Sequence, residues 1–273
     1  QLKKLGCSCD WSRNAFTMDE NLSKSVLKVF VELHKKGLIY KDKKLVNWDT
    51  HLQTAISDLE VVQKDSQSNL YYIDYKIEGT KEKITIATTR PETMMGDTGI
   101  AVNPKDKRYK ELVGKNVKIP LVNRSIKIIT DHYADPEQGS GAVKITPAHD
   151  FNDYLVGKRN KLQIINILEK DGTINTNGIK EFIGLDRFEA RKLIISDLLK
   201  IEQLEKEEDY DIQLPKGDRS KSILEPMITE QWFVKTETLA KEAIKAVETE
   251  EIKFVPKNWE KTYFEWMYNI QDW

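Results

Sequence analysis

The chain has little of the chemistry that most often marks a functional site in a sequence. Only two of its 273 residues are cysteines and only four are histidines. Cys7 and Cys9 are separated by one residue, which is too close to staple a fold, and no second pair completes a zinc site. We therefore expect two free thiols and no metal site.

Long apolar runs and a large net charge are also lacking. No run approaches the roughly 20 residues of a membrane span, and the start has neither an initiator Met nor the apolar core of a signal peptide. The formal net charge is -1, so any contact with nucleic acid needs a local basic patch. We expect a globular, cytoplasmic protein without membrane contact, whose two ends are cuts within a longer chain.

Familiar motifs of hydrolases and nucleotide-binding proteins are missing as well. The sequence has no Gly-x-Ser-x-Gly, no Walker loop and no His-Glu-x-x-His. The histidines are scattered along the chain, at His34, His51, His132 and His149. A site in this chain would therefore suit a reaction that depends on positioning more than on a strong nucleophile.

Three zones of different hydrophobic period are present. Residues 1–62 and 216–273 are predicted to be helical connectors, because apolar residues recur at helical spacing there. Residues 63–215 show alternation in many short strands separated by turns. The sequence therefore predicts an α+β fold, in which a small mixed β-barrel with α decoration is flanked by the two connectors.

Polar residues are concentrated where one predicted strand gives way to a helix, at Ala142–Thr146. Lys144 and Thr146 lie two apart and share one face of that strand. Pro147 suits a first helical position with Thr146 as N-cap, and Asp150 and Asp153 then share one helix face.

A second predicted junction has the same construction. Thr88-Thr89-Arg90-Pro91-Glu92 is again a strand end followed by proline, and Thr88 and Arg90 share a face. Free backbone N–H groups at such a junction suit a phosphate or an ester oxygen.

Ordinary structural roles compete with these functional ones. An aspartate in a first helical turn is often only a partner of the helix dipole, a threonine before proline is often only a cap, and a lone histidine is more often structural than catalytic. Gly139 and Gly141 raise the odds of a site, since glycine permits close approach of a ligand to the backbone.

The two junctions resemble signature segments of a known family. ATTRPETMMGDT at Ala87–Thr98 and GSGAVKITPAHDFNDY at Gly139–Tyr154 are similar to the editing domain of valyl-tRNA synthetases, an insertion also called connective polypeptide 1. The resemblance covers essentially the whole chain, with Ser140 and Gly99 as mild departures from the commoner Thr and Ala. Lys144 favours the valyl enzymes over the related leucyl and isoleucyl ones.

That resemblance implies hydrolysis of mischarged tRNA and a role for each matching residue. It implies that Asp153 binds the α-ammonium group of the attached amino acid. Lys144, Thr146 and Asp150 would line the side-chain pocket and position water. Five further residues would hold the terminal adenosine or the ester region. These five residues are Arg90, Thr88, Thr89, Glu92 and His149.

Partners and cofactors follow from the same resemblance. The implied substrate is threonyl-tRNA(Val), bound by its acceptor end, and the implied partner is the rest of the synthetase chain, with the fragment itself monomeric. Editing needs no cofactor, whereas ATP and magnesium would serve only the full-length enzyme. Neither ATP signature of the family, His-Ile-Gly-His or Lys-Met-Ser-Lys-Ser, occurs here.

Two alternatives remain open at this point. The chain could be a module that binds the tRNA acceptor end without hydrolysing it, through stacking and phosphate contacts. It could also edit a different tRNA, as the corresponding domain of an isoleucyl- or leucyl-tRNA synthetase does.

Overall fold

A computed structural model describes all residues, 1–273, and the chain divides into two compact units. The central unit comprises residues 44–229, and the other unit combines residues 1–43 with residues 230–273. The predicted boundaries after residues 62 and 215 differ from these limits and stay a prediction. No helix is both long and apolar enough to cross a membrane.

Ten strands and five helices make up the chain. The strands are β1 Ile39–Asp49, β2 Thr54–Ile56, β3 Val61–Ile77, β4 Lys83–Thr88, β5 Gly99–Val102, β6 Asn116–Lys118, β7 Ser125–Thr130, β8 Ala142–Ile145, β9 Leu204–Gly217 and β10 Glu225–Val234. The helices are α1 Glu20–Lys35, α2 Phe151–Arg159, α3 Arg187–Lys200, α4 Thr236–Glu248 and α5 Trp259–Tyr268.

The central unit is built on a seven-stranded sheet. Its strand order is β4-β3-β6-β7-β5-β8, with β9 paired to β3. Only β5 and β7 run parallel, and the other pairs are antiparallel. The two end strands, β4 and β8, contact each other, so the sheet is nearly closed. The predicted α+β fold with a small mixed barrel is confirmed.

Alternation along the strands fills the barrel. On β4 every second residue is buried, and the same period on β3 buries Ile73, Tyr75 and Ile77. Helix α3 covers the barrel with Ala190, Ile194 and Leu198, which are fully buried. This core fixes the ends of β4 and β8, where the predicted polar residues begin.

Three sequence predictions are wrong in their local structure. Residues 39–49, 54–56 and 225–234, predicted within helical connectors, form strands β1, β2 and β10. Residues 164–168, within the zone predicted to form short strands, form only an isolated bridge between Leu168 and Ile174. Whether a short segment forms a strand depends on whether the tertiary structure places a partner strand beside it. The spacing of apolar residues in the sequence does not show this.

In the other unit, α1, α4 and α5 account for the predicted helical character. No residue of α1 is buried, although Phe30 contacts the ring of Trp232 edge to face. Aromatic residues near the end of the chain pack together, with Tyr263 against both Phe254 and Phe264.

Candidate active site

A cavity of about 1160 Å³ opens in the central unit where β4 and β8 end. It brings both predicted junctions together. Eight of the nine predicted site residues line it: Thr88, Thr89, Arg90, Lys144, Thr146, His149, Asp150 and Asp153. Glu92 does not line the cavity and lies buried behind it.

Lys144 is the centre of a buried polar cluster. Its ammonium group donates to Thr93 Oγ1 at 2.7 Å, to Thr146 Oγ1 at 2.5 Å and to Asp97 Oδ1 at 3.2 Å. A lysine has three N–H donors and no acceptor, so all three are in use. The predicted common face of Lys144 and Thr146 is confirmed, and their position is fixed from within the protein.

Asp97 is the residue of this cluster that sequence reasoning missed. Its carboxylate is fully buried and also accepts hydrogen bonds from Thr146 Oγ1 at 2.5 Å and from the Tyr75 hydroxyl at 2.7 Å. Burial raises the pKa of Asp97, and the ammonium of Lys144 opposes that shift. The aspartate stands five residues after Glu92 in the first junction segment, and nothing in that spacing indicates that it turns inward.

Asp153 has one oxygen committed to the protein and one free. Its Oδ2 accepts the backbone N–H of Thr146 at 2.8 Å, while Oδ1 makes no hydrogen bond within the chain. Burial, reinforced by the neighbouring charge of Asp150, raises the pKa of Asp153 to about 7. A cation bound beside Oδ1 would favour the ionised carboxylate, so the site is suited to an ammonium group.

Asp150 corrects the predicted start of the helix. The prediction made Thr146 the N-cap, but α2 begins at Phe151 and the Asp150 carboxylate accepts the N–H groups of Asn152 and Asp153. The hydroxyl of Thr146 is held instead by Lys144 and Asp97, so it cannot cap. Both capping bonds use Oδ1, which leaves Oδ2 of Asp150 without a protein partner.

His149 is fixed as a neutral imidazole. It is 1% exposed, and its Nε2 accepts the N–H of Ile167 at 3.0 Å. Burial and then the charge of Arg90 hold its pKa well below the usual value. Because Nε2 accepts, the proton lies on Nδ1, which has no partner. The ring therefore has no lone pair available to act as a general base.

Arg90 joins the two junctions. Its guanidinium donates to the backbone oxygen of His149 at 3.1 Å and pairs with Glu92 at 3.4 Å and with Glu225. Although burial works to lower the pKa of Arg90, Glu225 and Glu92 raise it. The side chain is 28% exposed, so most of its donors serve the protein framework rather than the cavity.

Two further arginines complete this framework, and sequence reasoning missed them too. Arg191 forms a bidentate pair with Glu92 at 2.7 and 2.8 Å, and Arg187 binds Glu225 at 2.7 Å. Both arginines come from α3, where their spacing of four residues puts them on one face. That spacing was the signal available in the sequence, although it does not name the glutamates.

No group of three or more His, Cys, Asp or Glu side chains is arranged to hold a metal ion.

A family model described as tRNA synthetases class I (I, L, M and V) matches residues 1–273. The chain belongs to this family. Among curated relatives, the valine–tRNA ligase of Pelagibacter ubique is 67% identical over 273 residues. Those of Bradyrhizobium diazoefficiens and Coxiella burnetii are 55% identical over 295 residues and 53% identical over 273 residues. In each case all of this chain is covered.

This class I synthetase chain spans about a third of the length of those relatives, with 30–31% of each covered. A solved LeuRS from a ternary complex of Agrobacterium radiobacter K84 overlaps 78% of the chain and 35% of its own length. Its TM-score is 0.42 at 18% identity.

Proposed function

We propose that this chain is the editing region of a valyl-tRNA synthetase and that it hydrolyses the ester bond of threonyl-tRNA(Val). Whole-chain similarity to valine–tRNA ligases supports the parent enzyme. The observation that carries the proposal is the cavity in which Asp150 and Asp153 each keep one carboxylate oxygen free beside the buried Lys144 cluster.

A physical need for such a site exists in any valine-charging enzyme. Threonine and valine are nearly isosteric, and an apolar pocket rejects an isostere with one added hydroxyl by only about 10²-fold; valine against threonine is the case that supplies that figure. A second pocket lined with polar groups can prefer the hydroxyl. Valine would then leave buried polar groups unpaired, at about 1–3 kcal/mol each.

The two halves of the cavity wall suit the two ends of a threonyl group. Asp153, with Asp150 beside it, provides anionic oxygens for the α-ammonium group. Thr93 and Thr146 each donate their hydroxyl hydrogen inward, to Arg90 O and Asp97, and accept from Lys144. Each hydroxyl oxygen retains one acceptor site, which a threonine hydroxyl can use as a donor.

The reaction itself is the addition of water to an activated ester, which releases threonine and the free ribose hydroxyl. Lys144 has no free donor or lone pair and His149 has no free lone pair, so neither removes the proton of the water. The chain contributes orientation and fixed charge, and a hydroxyl of the terminal ribose is a candidate for proton removal. The proposal needs no cofactor at this site, with ATP and magnesium confined to the full-length enzyme.

Incubation of the purified chain with threonyl-tRNA(Val) and with valyl-tRNA(Val) tests the proposal. We expect release of threonine at least tenfold faster than release of valine. Asp153→Asn should lower the rate of threonine release at least tenfold, while Glu189→Gln, which changes an exposed carboxylate on α3, should leave it unchanged. Binding of both tRNAs without release of either amino acid would instead support an acceptor-end binding module. Preferential release of another amino acid from its tRNA would support an isoleucyl or leucyl relative.

A further inference from the structure

A second cavity, of about 790 Å³, adjoins the first in the central unit. The two share four lining residues, which are Thr89, Arg90, Asp150 and Ile212. Its other walls come from β3, β9, the start of β10 and the first residues of α2 and α3. A ligand that fills both cavities must therefore pass the shared wall at Thr89 and Arg90.

Aromatic rings form one side of this second cavity. Phe151, the first residue of α2, is 41% exposed although it lines the cavity. Phe188 on α3 also lines the cavity. The guanidinium groups of Arg187 and Arg191 lie over its ring, at 4.3 Å and 5.3 Å from the ring centroid. Flat rings of this kind stack with any nucleobase.

Neutral amides form another part of the wall. Gln63 and Gln67 on β3 line the cavity, and neither side chain has a hydrogen-bond partner within the chain. An amide offers both a donor and an acceptor. Stacking rings next to unpaired amides are the combination with which proteins bind unstacked bases of single-stranded RNA.

The lining of the second cavity carries charges of both signs, with three carboxylates and two arginines. Asp58 accepts a hydrogen bond from Asn47 at 2.7 Å, and Glu225 is paired with two arginines. Asp150 accepts the N–H groups of α2 through Oδ1 and keeps Oδ2 free. The framework behind the wall has three arginines, Arg90, Arg187 and Arg191, against Glu92 and Glu225. These five groups sum to one excess positive charge, which the carboxylate of Asp150 on the shared wall offsets.

We propose that the second cavity binds the nucleotide that precedes the terminal adenosine, with its base against Phe151. This inference rests on the proposed function, which puts the terminal aminoacyl-adenosine in the first cavity. The phosphodiester that joins the two nucleotides then crosses the shared wall beside Arg90. The tRNA end is held by two consecutive sites, one for the reacting nucleoside and one for its neighbour.

Binding of three non-hydrolysable ligands tests the second site independently of hydrolysis. The ligands are threonyl-amide analogues of adenosine, of cytidylyl-adenosine, and of a dinucleotide whose 5′ unit lacks its base. Calorimetry with the full chain gives the Kd of each. We expect the 5′ base to tighten binding by roughly 5-fold to 150-fold, the range of one base–aromatic stack, and the abasic unit to recover little of that gain.

Variants of α2 locate the effect. Phe151→Ala should abolish the gain from the 5′ base and leave the Kd of the adenosine analogue within about twofold of wild type. Phe151→Trp, which keeps a stacking surface, should keep the gain. Leu155→Ala is the matched control, because Leu155 is 54% exposed on the same helix and lines neither cavity.

Each outcome decides the inference. Equal affinity for the adenosine and dinucleotide analogues would overturn it, as would a gain that persists in Phe151→Ala. Either result could occur while threonyl-tRNA is still hydrolysed, which would leave the proposed function intact. The converse result, a base-dependent gain lost in Phe151→Ala from a chain that hydrolyses nothing, would support the second site and overturn the function.

Discussion

The two strand-to-helix junctions contain similar residues but use them differently. At the first, the guanidinium of Arg90 and the carboxylate of Glu92 are bound by other side chains. At the second, Lys144 is equally committed, yet Asp150 and Asp153 each retain a free oxygen. A high number of polar residues in the sequence therefore indicates where a site lies. The hydrogen bonds in the structure then show which of those residues hold the site together and which are free to contact a substrate.

Removal of Lys144 tests the framework side of this comparison and should have the largest effect. Lys144→Met leaves the fully buried carboxylate of Asp97 without its cation, and breaking a buried pair from one side costs about 3–5 kcal/mol. Urea denaturation should show that loss in the free energy of unfolding. A double variant that adds Asp97→Asn should recover most of it, because no bare charge remains. Wild-type stability for Lys144→Met alone would show that the pair is not part of the framework.

Removal of the Asp153 charge tests the reacting side. Asp153→Asn should lower the single-turnover rate on threonyl-tRNA by roughly tenfold to 150-fold, since a hydrogen bond to a charged group contributes about 1.5–3 kcal/mol. In the wild type, kcat/KM should fall about tenfold per pH unit below the Asp153 pKa of about 7, where the carboxylate becomes protonated.

An acylated substrate separates the ammonium contact from other roles of Asp153. N-acetyl-threonyl-tRNA has no ammonium group, so Asp153→Asn should change its rate by less than threefold. An equal loss on both substrates would assign Asp153 to proton transfer instead.

Asp153→Asn should also change the free energy of unfolding, by less than Lys144→Met and by more than a change at the pair described last. The pKa of Asp153 is about 7 in the folded chain and about 3.9 when unfolded. Between these values the folded state holds a proton that the unfolded state has lost, so this group makes stability fall as pH rises from 4 to 7. Asp153→Asn should therefore be more stable than wild type at pH 8, on the order of 2 kcal/mol, and similar to it at pH 4. A variant less stable at pH 8 would show that the carboxylate contributes to folding.

The smallest expected effect concerns a pair outside both junctions. Asp131 binds Arg159 Nε and Nη2, each at 2.8 Å, and that hydrogen bonding holds the pKa of Asp131 at about 2. Because the pKa is depressed, the contribution is present above pH 4 and is lost as pH falls toward 2. Arg159 is half exposed, so Arg159→Met should cost only about 1 kcal/mol at pH 6. If Arg159→Met lowers the Tm by the same amount at pH 2 as at pH 6, the lost stability does not come from this ion pair.

Local pattern was enough to predict the barrel. The family resemblance completed the set of nine candidate residues, eight of which line one cavity. Strands β4, β5, β7 and β8 were recognisable from alternation within four to six residues. The helix α2 was misplaced at its start, because Thr146 and Asp150 are both good caps. The choice between them depends on Asp97, which binds the Thr146 hydroxyl from another strand connection.

The charge partners could not be predicted for a related reason. Glu92 was expected to contact substrate, but Arg191 lies 99 residues away in sequence and neutralises it in the folded chain. Burial works to raise the pKa of Glu92, yet its bonds with Arg191 lower it. Pairings of this range are set by the fold as a whole, so a single sequence indicates the ions and leaves their partners open.

The register of the long ribbon formed by β3 and β9 has a consequence for how the chain is assembled. Val61 and Gly217 are directly opposite each other, and pairing continues to the end at Ile73 and Leu204. The segment from Val61 to Gly217 therefore begins and ends at the same end of the ribbon, on adjacent strands. A host loop would need to span only one strand spacing of about 4.8 Å to accept the whole segment, so its transfer between proteins would disturb the host little. The same register requires most of that segment to be synthesised before the ribbon closes, which makes ribbon closure a late, non-local step of folding.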